Sequence, residues 1–167
     1  TDIAIDETSA RVTIEHEGTR RELTARLVVA ADGGRSTVRE RLGARTFSLG
    51  YGQTAVIASV ISDRPHDNVA YERFTESGPL ALLPNSAPAW MVGAEAGERR
   101  WSLVWTVHDN EVDEHLALDD AAFIERLQKR LGRRAGRMLS VSPRSAYPLG
   151  LKFVRDHVRP RLAFIGN

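Results

Sequence analysis

Cysteine is missing from all 167 residues, which excludes disulfides and thiolate metal sites and fits a reducing compartment. No apolar run approaches the roughly 20 residues that a membrane-spanning helix needs. Charge of one sign is not in excess, since 23 basic side chains face 22 acidic ones. That balance argues against bulk attraction to nucleic acid. The histidines (His16, His66, His108, His115 and His157) never fall at a ligand spacing such as HxxxH, so no metal site is expected. Ser59, Ser77 and Ser102 stand in no nucleophile-elbow pattern, which leaves a hydrolase without support. The opening residues lack the basic start and apolar core of a signal peptide. An initiator Met is also missing, and the final "RLAFIGN" is a strand pattern cut off at a turn. The sequence therefore reads as a segment of a longer protein.

What is present is ordinary for a globular chain: 42% hydrophobic and 27% charged residues, enough for one core or two small ones. "DIAIDETSARVTIEHEG" alternates apolar and polar residues around "DETS" and predicts a β-hairpin. A polar strand and then an apolar one, Leu27–Ala31, should follow. Its unbroken apolar run predicts burial on both faces, as in a parallel sheet. From Tyr51 the character changes. "YGQTAVIASVIS", "NVAYERFT" and "GPLALLP" predict strands, and "APAWMVGAEAG" and "RRWSLVWTVHD" an antiparallel pair turning at Gly97 and Glu98. Asp119 or Asp120 should cap a helix carrying Phe123, Leu127 and Leu131 on one face and ending near Gly132. "AYPLGLKFV" and "RLAFIG" predict two last strands. Trp90, Trp101 and Trp105 are expected in a core or on a sheet face rather than as a stacking platform. The shift in composition over residues 44–50 marks the best domain boundary.

One stretch asks for a ligand. In "LVVAADGGRSTVRERLG" an apolar strand runs into Asp32, Gly33 and a short basic helix that Ser36 can cap and Gly43 can close. A carboxylate at the carboxyl end of a strand can accept hydrogen bonds from the hydroxyls of a ribose or ribityl chain. Gly33 lets the backbone approach that ligand, and the amino end of the helix favours an anion such as pyrophosphate. A plain turn would also use Asp and Gly. The ordered set of strand, Asp-Gly, Ser and Val-Arg asks for more than a turn does.

This stretch resembles the second cofactor fingerprint of FAD-dependent aromatic hydroxylases of the p-hydroxybenzoate hydroxylase type. The first fingerprint, GxGxxG, is absent, and the chain ends where the third would start. "YGQTAV", "YERFTESGPLALLP" and "WSLVWTV" are similar to the branch that hydroxylates ubiquinone precursors, the 2-octaprenyl-6-methoxyphenol hydroxylases. That branch has Asn, as Asn167 is here, where most other members of the family carry Asp in the third fingerprint.

The resemblance implies an α+β fold. Residues 1–44 would be part of a FAD-binding α/β domain. Residues 45–160 would form a substrate domain, a mixed and largely antiparallel sheet with helices on one face, and 161–167 a strand returning to the first domain. It implies that the intact protein uses NAD(P)H and O2 to hydroxylate a prenylated phenol in ubiquinone biosynthesis. The alternatives are another flavoenzyme of the same fold, a prenyl reductase or halogenase, or a non-catalytic binding module when the segment stands alone. Asp32, Gly33, Ser36, Arg39, Gly166 and Asn167 would contact FAD. Leu82, Pro84, Arg100 and Leu103 would line the substrate pocket, and no catalytic base is named. The expected location is cytoplasmic and peripheral at the inner membrane surface, beside other ubiquinone-biosynthesis proteins. The basic run "RLQKRLGRRAGR" reads as a solvated helix end or as a surface attracted to anionic lipid headgroups.

Overall fold

A computed structural model describes residues 2–85 and 97–166. The strand expected at "APAWMVGAEAG", with Trp90 in it, lies outside the described residues, as does Asn167. The chain divides into two units, one made of residues 1–49 with 150–167 and the other of residues 50–149. The sequence had suggested divisions after residues 44 and 160.

The first unit begins with an antiparallel meander of β1 (Asp2–Ile5), β2 (Ala10–His16) and β3 (Thr19–Ala25). The "DETS" turn closes on Asp6, whose carboxylate accepts from the amides of Thr8 at 2.8 Å and Ser9 at 2.7 Å. Those hydrogen bonds hold the Asp6 carboxyl well below the usual carboxylate range. A second small sheet joins β4 (Val28–Ala30) to β12 (Leu162–Phe164), with β11 (Val158–Arg159) on the far side of β12. The β4–β12 pair is parallel, Val28 opposite Leu162 and Ala30 opposite Phe164. Arg161 fastens this sheet, donating to the carbonyls of Glu7 and Arg26. After β4 in the chain comes the short helix α1 (Thr37–Arg41), capped by Ser36.

The expected burial of Leu27–Ala31 on both faces is not observed. Ala30 is buried, whereas Leu27 is 56% and Val29 50% exposed. Side chains alternate across a strand, and among the described residues nothing covers the Leu27 and Val29 side.

The second unit is a sheet with a helix on one face. Its longest strand, β5 (Thr46–Ser62), is rich in β-branched residues. β8 (Arg100–His108) pairs with β5, then come β7 (Gly78–Pro84) and the edge strand β6 (Tyr71–Thr75). On the other side of β5 lie β10 (Ser145–Val154) and, at its end, β9 (Met138–Val141). After β8 a 3-10 turn leads into α2 (Val112–Ala117), and Asp119 caps α3 (Asp120–Leu131), accepting from the Ala122 amide at 2.8 Å. The sequence pattern missed β9, β11 and α2, all shorter than seven residues.

Phe123, Leu127 and Leu131 on α3 meet Trp101, Leu103, Trp105, Leu80, Leu82, Val56 and Val60 from the sheet in one buried cluster. Trp105 and Phe123 meet edge to face at 5.6 Å. Trp101 is fully buried, its Nε1 donating to Ser62 Oγ at 2.9 Å. Gly78, at φ +121°, cannot take a side chain, because a Cβ there would lie 2.6 Å from Thr106 Cγ2.

Candidate cofactor and substrate sites

Parallel pairing brings the two glycine turns together. β4 and β12 run side by side and end together, and Ile165 N donates to Ala30 O at 3.0 Å just beyond the ladder. Asp32–Gly33 and Gly166 therefore leave adjacent strands at their carboxyl ends. In open α/β sheets that edge is where ligands sit. Gly33 (φ +77°) and Gly166 (φ +76°) both use the left-handed region, which keeps the backbone bare on that edge.

Asp32 is exposed. Its Oδ2 accepts from the Val38 amide at 3.2 Å and from Thr37 Oγ1 at 3.4 Å. Slight burial pushes its carboxyl up, but hydrogen bonds from the Ser36 side chain and the amides of Val38, Asp32 and Thr37 outweigh this and hold it below its ordinary value. The group is thus an ionised acceptor at neutral pH, suited to ligand hydroxyls.

Ser36 and Arg39 shape the turn rather than present themselves on its surface. Ser36 is 2% exposed, and its Oγ accepts from the Arg39 amide at 3.0 Å. The buried Arg39 guanidinium donates to the Gly34 carbonyl, which also accepts from Lys152 Nζ at 2.7 Å. Lys152 comes from β10 and carries no signal in the sequence, because only the fold brings it to the turn. The exposed carboxylate, the two bare glycines and the cation-buttressed loop fit the hydroxyl-rich chain and phosphates of FAD. Asp32, Gly33 and Gly166 would hold it.

Substrate-pocket residues do not assemble as the sequence suggested. Leu82 and Leu103 are fully buried under α3, directly opposite each other on β7 and β8. They belong to the core. Arg100 projects from the other face of β8, and half-buried Pro84 ends β7 opposite Trp101. The face of β8 turned away from α3 joins the expected Arg100 to polar side chains that the sequence did not assign to the pocket. Arg100 Nη1 donates to Ser59 Oγ at 3.3 Å, and Asn85 Nδ2 donates to Ser102 Oγ at 3.1 Å. Ser59 and Ser102 sit opposite each other in the β5–β8 ladder. Arg100 Nε is buried without a hydrogen-bond partner, an arrangement that suits a ligand oxygen. Ile57, Ala81 and Val104 line up across three strands on this face and give it an apolar wall. Period-two alternation could have linked Arg100 with Ser102; nothing local predicts the register that adds Ser59.

The sequence profile of the family described as "FAD binding domain" matches residues 4–166. The chain belongs to this family. It is 42% identical over 143 residues to the ubiquinone hydroxylase UbiL of Rhodospirillum rubrum, covering 86% of this chain and 31% of that protein. It is 29% identical over 176 residues to the human ubiquinone biosynthesis monooxygenase COQ6, covering 85% of this chain and 35% of that one. The chain thus spans about a third of the length of these curated relatives. Among solved structures it is similar to the flavin-dependent halogenase CmlS, with a TM-score of 0.71 at 16% identity over 99% of this chain and 30% of that one. It is also similar to the p-nitrophenol 4-monooxygenase PnpA of Pseudomonas putida DLL-E4, with a TM-score of 0.66 at 18% identity over 99% of this chain and 39% of that one. Those likenesses establish the α+β fold of the flavin-dependent enzymes.

Proposed function

We propose that the whole protein is a FAD-dependent aromatic monooxygenase that uses NAD(P)H and O2 to hydroxylate a prenylated phenol in ubiquinone biosynthesis. The observation that carries this reading is the 42% identity to a ubiquinone hydroxylase over 86% of the chain. When bound, FAD supplies the redox chemistry that activates O2, with NAD(P)H as reductant. Asp32 accepts hydrogen bonds from a cofactor hydroxyl, while Gly33 and Gly166 give the cofactor room against the backbone. On the open sheet face, Arg100 donates to a ring oxygen, and Ile57, Ala81 and Val104 keep water from the ring. The protein works in the cytoplasm, peripheral at the inner membrane surface, beside other enzymes of the pathway.

The substrate class follows from the balance of that face. A single guanidinium among serines and aliphatic side chains suits a neutral oxygenated ring, and each methylene of a buried prenyl tail adds about 0.8 kcal/mol. The full-length enzyme should therefore turn over a prenylated methoxyphenol faster, and with tighter coupling of NAD(P)H oxidation to oxygen insertion, than p-hydroxybenzoate. Preference for the benzoate would mean that Arg100 pairs with a carboxylate. Halogenation or double-bond reduction, in place of oxygen insertion, would move the protein to another flavoenzyme of the same fold.

A further inference from the structure

The carboxyl end of α3 and the edge strand β6 share a cationic, partly apolar surface that neither the core nor the open sheet face uses. Arg73, Phe74, Thr75 and Glu76 from β6 and its turn line one open concavity of about 540 Å³ together with Lys129 and Arg130. A neighbouring concavity of about 400 Å³ continues it past Arg73 to Arg133 and Arg134. The five cations Arg73, Lys129, Arg130, Arg133 and Arg134 share these two concavities with Glu72 and Glu76, while Lys129 and Arg130 also border Glu111 and Glu114 on their other side. Among the described residues none of the five is ion-paired.

The helix dipole accounts for cations in the last turn of α3, and so for Lys129 and Arg130. It does not account for Arg73, which comes from a different element, nor for Phe74. That ring is 79% exposed beside the cations. The loop after α3 is also held in shape. Gln128 donates to the carbonyls of Gly132 and Gly136 and accepts from the Met138 amide, which fixes Arg133 and Arg134 relative to the helix. A fixed cationic surface with an aromatic side chain at its rim matches an anionic bilayer, whose headgroups take the charge and whose interface takes the ring.

We infer that the β6–α3 edge docks the protein onto anionic membrane. The inference rests on the peripheral association proposed above and gives it a surface. Each cation near an anionic leaflet strengthens binding about fivefold, and the attraction is screened within a Debye length.

The test is co-sedimentation of the full-length protein with vesicles of phosphatidylcholine alone or with about one-third phosphatidylglycerol. Binding is expected only to the anionic vesicles and should be released by about 0.5 M salt. The triple variant K129E/R130E/R133E should bind at least about 100-fold more weakly, and Phe74→Ser about tenfold more weakly. All four positions are exposed, so both variants should keep the parent melting temperature. Equal binding to both vesicle types, or unchanged binding by folded variants, would overturn the inference. So would retention of the parent on an acidic protein column with none on vesicles. The assay needs no turnover, so failed hydroxylation would leave it standing and failed docking would leave the hydroxylase reading standing.

Discussion

Trp101→Ala should destabilise the second unit by about 3–5 kcal/mol, the range for deleting a large buried aromatic. Trp101 is fully buried, with Tyr71 and His66 against its ring at 5.6 Å each. Val60 and Pro84 are its cross-strand neighbours, and the surrounding sheet cannot collapse into the space left behind. Most of the loss comes from the cavity, since Ser62 Oγ keeps its bond to the Arg64 carbonyl when the indole donor is gone. Trp101→Phe restores much of the volume and should recover more than half of the loss. In thermal unfolding, Ala should lower the melting temperature by about 12 °C or more. A drop of only one or two degrees would show that Trp101 is not packed as described.

Asp32→Ala in the full-length protein should weaken FAD binding by about 1.5–3 kcal/mol, the scale of a charge-assisted hydrogen bond. Binding titrations would read this as roughly a tenfold to 150-fold rise in Kd. The fold should persist, because the side chain is exposed and its partners, the Val38 amide and Thr37 Oγ1, can turn to water. Asp32→Asn keeps an acceptor without the charge and should fall between parent and Ala. The carboxyl is held below its ordinary value, so the ionised form and the affinity that depends on it are fully present at neutral pH. Both should be lost only as the pH falls through that lowered value. A variant with parental FAD content and activity would reduce the Asp-Gly turn to a connector.

The parts legible in the sequence were those whose cause is local. The helix α3 follows from the Asp119 cap, the four-residue spacing of Phe123, Leu127 and Leu131, and the stop at Gly132. The alternation of Trp101, Leu103 and Trp105 against Ser102 and Val104 separates the two faces of β8. Alternation does not say which face a helix will cover. Leu82 and Leu103 were therefore placed in a pocket when they belong under α3. The same limit hid the exposure of Leu27 and Val29, since an apolar run looks alike whether or not something packs on it. Lys152 at the Gly34 carbonyl and Ser59 beside Arg100 are products of distant pairing, and no window of sequence contains both members.

The β4–β12 ladder also sets an order of events during synthesis. Its two strands bracket the whole second unit in the chain, whereas residues 50–149 are contiguous. The inserted unit has every strand and helix it needs before β12 has been made, and chains fold in the order in which their parts emerge. β4 must wait, its hydrogen-bonding edge unpaired, until Leu162–Phe164 arrives to complete a parallel pair that only long-range closure can form. Slow translation through the second unit would lengthen that wait. Until then the unpaired edge of β4 is open to wrong strand partners.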